Sequence, residues 1–116
     1  MGKIKIAKYK NTNIQIDGIK FDSKKEAARY SALKTMEKSG EISDLKTQVA
    51  FSLIPKQKKK NGEIEREVKY IADFVYNKNG ERVIEDVKSS MTRKLPAYII
   101  KRKLMLFIHS IEIKET

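Results

Sequence analysis

Tyr70-Ile71-Ala72-Asp73-Phe74-Val75-Tyr76-Asn77-Lys78, Asn79-Gly80, then Glu81-Arg82-Val83-Ile84-Glu85-Asp86-Val87-Lys88 is the stretch that decides the fold. Two runs rich in β-branched and aromatic residues flank Asn79-Gly80, the dipeptide suited to a tight turn with both central φ angles positive. The pattern predicts one strand from about Glu67 to Asn77 and another from about Glu81 to Ser89. If Asn79 and Gly80 alone form the loop, Lys78 faces Glu81 and the register places Asp73 opposite Asp86. Paired Cβ atoms there lie about 4.5–5.5 Å apart. The two-residue period then puts Ile71, Asp73 and Val75 on one face, beside Ile84, Asp86 and Lys88. A longer loop, Asn77 to Gly80, would pair Asp73 with Ile84 and keep the face. A one-residue slip would not.

Upstream, Asp17-Gly18 between Ile14-Gln15-Ile16 and Ile19-Lys20-Phe21 predicts a hairpin. Ser23-Lys24-Lys25-Glu26 matches a capping box and opens a helix to about Ser39, with Gly40 as its left-handed cap. Glu26, Tyr30, Leu33 and Met36 share one helical face, so Glu26 heads the apolar stripe. Alternation from Thr47 to Ile54 predicts a strand, which Pro55 ends. Lys56 to Gly62 reads as a basic loop and Ser89 to Leu95 as another. Pro96 opens a second helix running to about Phe107, and Ser110 to Lys114 alternates as a last strand. The order is an N-terminal hairpin and then αβββαβ: one α/β domain, a mixed sheet with flanking helices. Residues 1–13 read as a basic arm and 14–116 as the domain.

Two carboxylates and an ammonium group gathered among apolar neighbours are costly, since like charges opposite on a sheet repel and buried carboxylates lose hydration. Mg²⁺ or Mn²⁺ resolves the conflict, because hard oxygen ligands suit those cations. Such a site activates water and polarises a phosphodiester. Lys88, two residues from Asp86, can orient that water or stabilise developing charge. Glu26 can add a ligand, although the capping box alone accounts for it. Asp73 and Asp86 flanking Lys88 as a surface ion-pair cluster is the plain alternative. Glu85 projects to the other face.

The formal net charge is +11, with 40% hydrophobic and 35% charged residues. A domain this basic attracts polyanions, nucleic acid first. Lys58, Lys59 and Lys60, and Lys101, Arg102 and Lys103, are the candidate phosphate contacts. With no cysteine, disulfides and thiolate metal sites are excluded; the single His109 cannot form a histidine cluster, so zinc chemistry of the usual kind is not expected, and beside a predicted strand it offers no case for a Ser-His-Asp triad. His109 reads as a packed or surface residue. Tyr70, Phe74, Tyr76 and Tyr98 read as core or strand-surface residues. No membrane span or signal peptide is expected, which suggests a cytoplasmic protein.

Ala72-Asp73-Phe74 followed by Asp86-Val87-Lys88, with twelve residues between Asp73 and Asp86, resembles the PD-(D/E)XK nuclease superfamily. Glu26 matches the acidic residue that the superfamily carries on its first helix. Ala72 stands where the pattern's name has proline, and Asp86 where glutamate is commoner. Ile16 to Ala27, Tyr70 to Tyr76 and Glu85 to Lys88 together resemble small phage proteins described as Holliday-junction-resolvase-like or endonuclease-like, long grouped as a domain of unknown function. The resemblance implies a restriction-endonuclease-like core and Mg²⁺- or Mn²⁺-dependent DNA cleavage in phage recombination, replication or packaging. Glu26, Asp73 and Asp86 would bind metal with the Val87 backbone carbonyl, and Lys88 would assist the water. DNA is the implied partner. A homodimer is implied if junctions are cut symmetrically, and the location is then the bacterial host's cytoplasm. The alternatives are a DNA-binding or phage regulatory module that does not cleave, and a nuclease acting on RNA.

Overall fold

Two Asx-Gly turns punctuate the chain. In the computed structural model, which describes residues 14–116, φ is 54° at Asp17 and 78° at Gly18, then 51° at Asn79 and 79° at Gly80. These positive pairs match the right-handed twist of the strands they join. The first turn joins β1 (Ile14–Ile16) to β2 (Ile19–Phe21). The basic arm expected over Met1 to Asn13 lies outside the described residues.

Helix α1 (Lys24–Lys38) starts at Ser23, whose Oγ accepts the Glu26 N–H at 3.1 Å. Only this half of the expected capping box forms, because the Glu26 carboxylate turns toward Asp22 and Asp73 instead. Gly40 takes φ 84° just beyond the helix, as its position requires. Strand β3 (Ser43–Ile54) begins four residues earlier than its alternation suggests. The lysine segment is less loose than expected. Residues β4 (Gln57–Lys58) pair with β5 (Ile64–Glu65), so the lysines cap a two-stranded ribbon that turns at Gly62.

Strand β6 (Val68–Lys78) pairs antiparallel with β3 on one side and with β7 (Glu81–Asp86) on the other. The predicted register holds from Lys78 opposite Glu81 to Phe74 opposite Glu85. Strand β7 stops at Asp86 rather than Ser89, because the next amide, Val87 N–H, donates to the Asp73 carboxylate at 2.8 Å. A 3₁₀ turn (Thr92–Lys94) leads into α2 (Pro96–His109). Ser110, in the left-handed conformation, ends that helix. Regular pairing therefore resumes only at β8 (Lys114–Glu115), parallel to β7, instead of running from Ser110 to Lys114. The result is a mixed sheet in the order β3-β6-β7-β8, an α/β fold.

One core lies between the sheet and α2, with Tyr70, Ala72, Val75, Ile84, Tyr98 and Met105. The other lies between the sheet, α1 and the β1-β2 hairpin, with Phe21, Tyr30, Leu33, Phe74 and Tyr76. Along β6 the face therefore switches. Tyr70 and Ala72 point to α2, Phe74 and Tyr76 point to α1, and no simple alternation joins them. Strand β3 switches at the same level, since Val49 and Phe51 pack toward α2 whereas Leu45 packs toward α1. The switch sits at Gln48 and Asp73, which drop out of a register that is otherwise unbroken from Lys46 to Ser52, and Gln48 has φ 53°. A left-handed residue inside a strand reverses the side-chain order locally.

This corrects the expectation that Ile71, Asp73 and Val75 share a face with Ile84. Val75 is buried with Ile84 toward α2, whereas Ile71 stays 57% exposed on the far side of the switch. Among the described residues, no helix is long and apolar enough to cross a membrane.

Candidate active site

Because Asp73 occupies the switch, it can meet side chains from both faces of the sheet. On the α1 side it interacts with Glu26, and across the hairpin with Asp86. The three acids form a row with Asp73 in the middle. Glu26 and Asp86 are both buried, and Asp73 is half-buried. Among the described residues, no three acid or imidazole side chains close into a ready-made metal cage.

The electrostatics of the row are unfavourable in the free protein. Burial raises the Asp73 carboxyl well above the ordinary carboxylate range, and the hydrogen bond and charge of Asp86 push the same way. Glu26 is raised by burial first and then by the charge of Asp22, with a further push from Asp86. A proton on Asp73 therefore takes the place that a cation can fill. The donor set fits Mg²⁺ or Mn²⁺ chemically, since it consists of hard carboxylate oxygens on neighbouring elements.

Asp86 is held from two sides. Tyr70 Oη donates to Asp86 Oδ2 at 2.6 Å, and Lys88 Nζ stands 3.5 Å from the same oxygen. Burial, then the bond to Asp86, raises the Tyr70 hydroxyl, so it stays a donor. The Lys88 ammonium also lies 4.6 Å from the centre of the Tyr98 ring, a cation–π distance. Tyr98 Oη donates in turn to Glu115 Oε2 at 2.5 Å, and the Lys88 carbonyl accepts from Lys25 Nζ at 3.0 Å. Lys88 is thus fixed by its ring neighbour, its acid neighbour and its own backbone. Val87 contributes its N–H to Asp73, which orients that carboxylate.

Two grooves meet at the row. Lys20, Asp22, Glu26, Gln48, Ile71 and Asp73 line one. Asp86 and Lys88 line the other, with Lys69 and Lys101 on its rim. Of the phosphate contacts expected from sequence, Lys101 alone reaches these grooves. Arg102 is bound to Glu115 at 3.2 Å, and with Lys103 it lines a separate hollow. Lys58, Lys59 and Lys60 sit on the ribbon, which begins beyond Val68, about 17 Å along β6 from Asp73. Lys59 is occupied there by Glu63 at 3.6 Å and Glu65 at 3.5 Å. Lys20, Lys25, Lys69, Tyr70 and Tyr98 belong to the site but escaped the sequence reading. Their signal was spatial, since only the packing of β2, α1, β6 and α2 brings them together. His109 is structural: its Nε2–H donates to the Ser52 carbonyl at 2.8 Å, and its ring meets the Phe51 edge.

Fold and site together define an α/β domain with a buried acid row opening into cation-lined grooves. The chain belongs to the family described as "Protein of unknown function (DUF1064)", whose model matches residues 6–115. No curated protein and no solved structure matches it.

Proposed function

We propose that this protein is a Mg²⁺- or Mn²⁺-dependent endonuclease that hydrolyses DNA phosphodiester bonds. The acid row of Glu26, Asp73 and Asp86, with Lys88 Nζ 3.5 Å from Asp86, is the observation that carries the reading. A structural ion-pair cluster would not stack three carboxylates where burial already raises two of them. Asp73, Asp86 and Glu26 would hold the cation, with the Val87 carbonyl as a further ligand. When bound, the cation supplies charge neutralisation and Lewis acidity toward a phosphodiester oxygen. Lys88 hydrogen-bonds the attacking water or the phosphoryl oxygens as charge builds on them. Lys20, Lys69 and Lys101 attract and seat the flanking phosphates.

The net charge of +11 supports a polyanionic substrate, and the resemblance to the PD-(D/E)XK superfamily selects DNA. The likeness to junction-resolvase-like phage proteins favours branched DNA, whose symmetric cutting requires two copies of the chain. The test is cleavage of linear, single-stranded and four-way-junction DNA with Mg²⁺, Mn²⁺ or EDTA. Cutting should require the cation. Asp86→Ala and Lys88→Ala should abolish it while leaving binding largely intact. Binding without any cutting would make the protein a non-catalytic module, and normal cutting by Asp73→Ala would remove Asp73 from the site.

A further inference from the structure

We propose that Ile71, Leu95 and Ala97 form an apolar seat that receives a base turned out of the stack. The site would then favour strands with unpaired nucleotides over a continuous duplex. This rests on the nuclease reading and names the substrate class of the same site. Ile71 is 57% exposed and Leu95 49%. Singly exposed apolar side chains need no explanation, but these share one groove with Asp86, Lys88 and the rim lysines Lys69 and Lys101. Ile71 also lines the adjoining groove with Glu26 and Asp73, so it stands between the two parts of the acid row.

The groove therefore offers two chemistries side by side. The lysines suit phosphates, and an apolar strip does not. A continuous duplex presents phosphates and sugars outward and keeps its base faces stacked inside. An unpaired strand offers phosphate and base face together, which matches the groove. Ile71 is rigidly placed, because β6 pairs it with Ala50 of β3, and branched apolar side chains can wedge between unstacking bases. The Tyr98 ring cannot serve as the stacking surface, since Lys88 and Arg102 both lie over it.

The experiment measures equilibrium binding of the full chain by fluorescence anisotropy, in Ca²⁺ and in EDTA. The probes are a labelled single strand, its continuous duplex, and that duplex with a short central unpaired loop. The single strand and the looped duplex should bind more tightly than the continuous duplex. Ile71→Ser should erase most of that preference, about tenfold, the order expected for one lost branched aliphatic contact. Ile71→Leu should keep it. Lys101→Ala should weaken all three probes alike, which separates seat from charge. Equal or tighter binding of the continuous duplex by the wild type overturns the proposal, as does an equal loss on all probes in Ile71→Ser. Binding of none of the probes in either buffer overturns the nuclease reading as well.

Discussion

Glu85 and Asp86 are neighbours on β7, buried at 0% and 2% exposure, yet their surroundings are opposite in kind. Glu85 faces α1, where Arg29 grips it with two bonds of 2.5 and 3.0 Å. Tyr76 adds a third bond at 2.6 Å and Thr116 a fourth at 3.1 Å. Burial alone would raise the Glu85 carboxyl, but Arg29 and these hydroxyls outweigh it and hold it below the ordinary range. Asp86 faces the other way. It has one short bond from Tyr70, one ammonium at 3.5 Å, and two more carboxylates for company. Among the described residues, no buried side-chain polar atom lacks a hydrogen bond. Hydrogen bonding is therefore complete on both faces, and charge is balanced on only one. A buried charge with its counter-ion is part of the scaffold, whereas a cluster of buried acids without one is a candidate ligand site.

The largest effect should come from breaking the balanced side. Arg29→Ala strands a carboxylate at 0% exposure, so urea unfolding should show a loss of about 3–5 kcal/mol. A loss below about 1 kcal/mol would mean that Glu85 is not the compensated charge described. Next, Asp73→Asn removes the central carboxyl of the row, which burial and Asp86 keep protonated well above the ordinary carboxylate range. In EDTA, at a pH high enough to ionise that carboxyl, the variant should unfold at higher urea than the wild type, by about 1 kcal/mol, because like-charge repulsion and desolvation are relieved. The same variant should lose cleavage. Destabilisation in EDTA would instead make Asp73 a structural acid.

The two tyrosines allow the same chemical change on both carboxylates. Tyr76→Phe and Tyr70→Phe each delete one 2.6 Å hydroxyl bond. Tyr76→Phe should cost about 1.5–3 kcal/mol of stability, as bonds to charged groups do, and leave cleavage alone. Tyr70→Phe should lower cleavage about 10–100-fold, the usual effect of losing a partner that orients a ligand. Its stability should change less than that of Tyr76→Phe, and the reverse pattern would exchange the roles of the two faces. The smallest contrast lies among the lysines. Lys101→Ala should weaken DNA binding and reduce its salt slope by about one. Lys59→Ala, whose partners are exposed, should change stability by no more than about 0.5 kcal/mol and leave DNA binding unaltered.

Much of this geometry is legible in the chain. Asn79-Gly80 specifies the register that brings Asp73 and Asp86 together, because few other dipeptides accept two positive φ angles. Helical phase places Glu26 at the head of the buried face. The face switch at Gln48 is not legible. Glutamine carries no preference for the left-handed conformation, so nothing in its identity signals the break. Strict alternation accordingly misplaces Ile71 and Val75. Arg29 follows Glu26 by three residues and so lies beside it on the helix, but only the observed strand pairing reveals Glu85 as its partner. Tyr70 and Tyr98 read as core because they are core, and burial in sequence terms does not tell which hydroxyl meets an acid. The placement of the lysine runs is illegible for a related reason, since local charge density does not tell which lysines line the grooves beside the acids.

The most direct test of the unbalanced row is thermal melting of the wild type with and without Mn²⁺, set beside Asp73→Asn. A cation that binds only the folded state stabilises it by about 2.7 kcal/mol at a hundred times its Kd. The wild type should therefore melt at a clearly higher temperature in saturating Mn²⁺, and most of that rise should vanish in Asp73→Asn. A melting temperature that ignores Mn²⁺, or that rises equally in both proteins, would contradict the account.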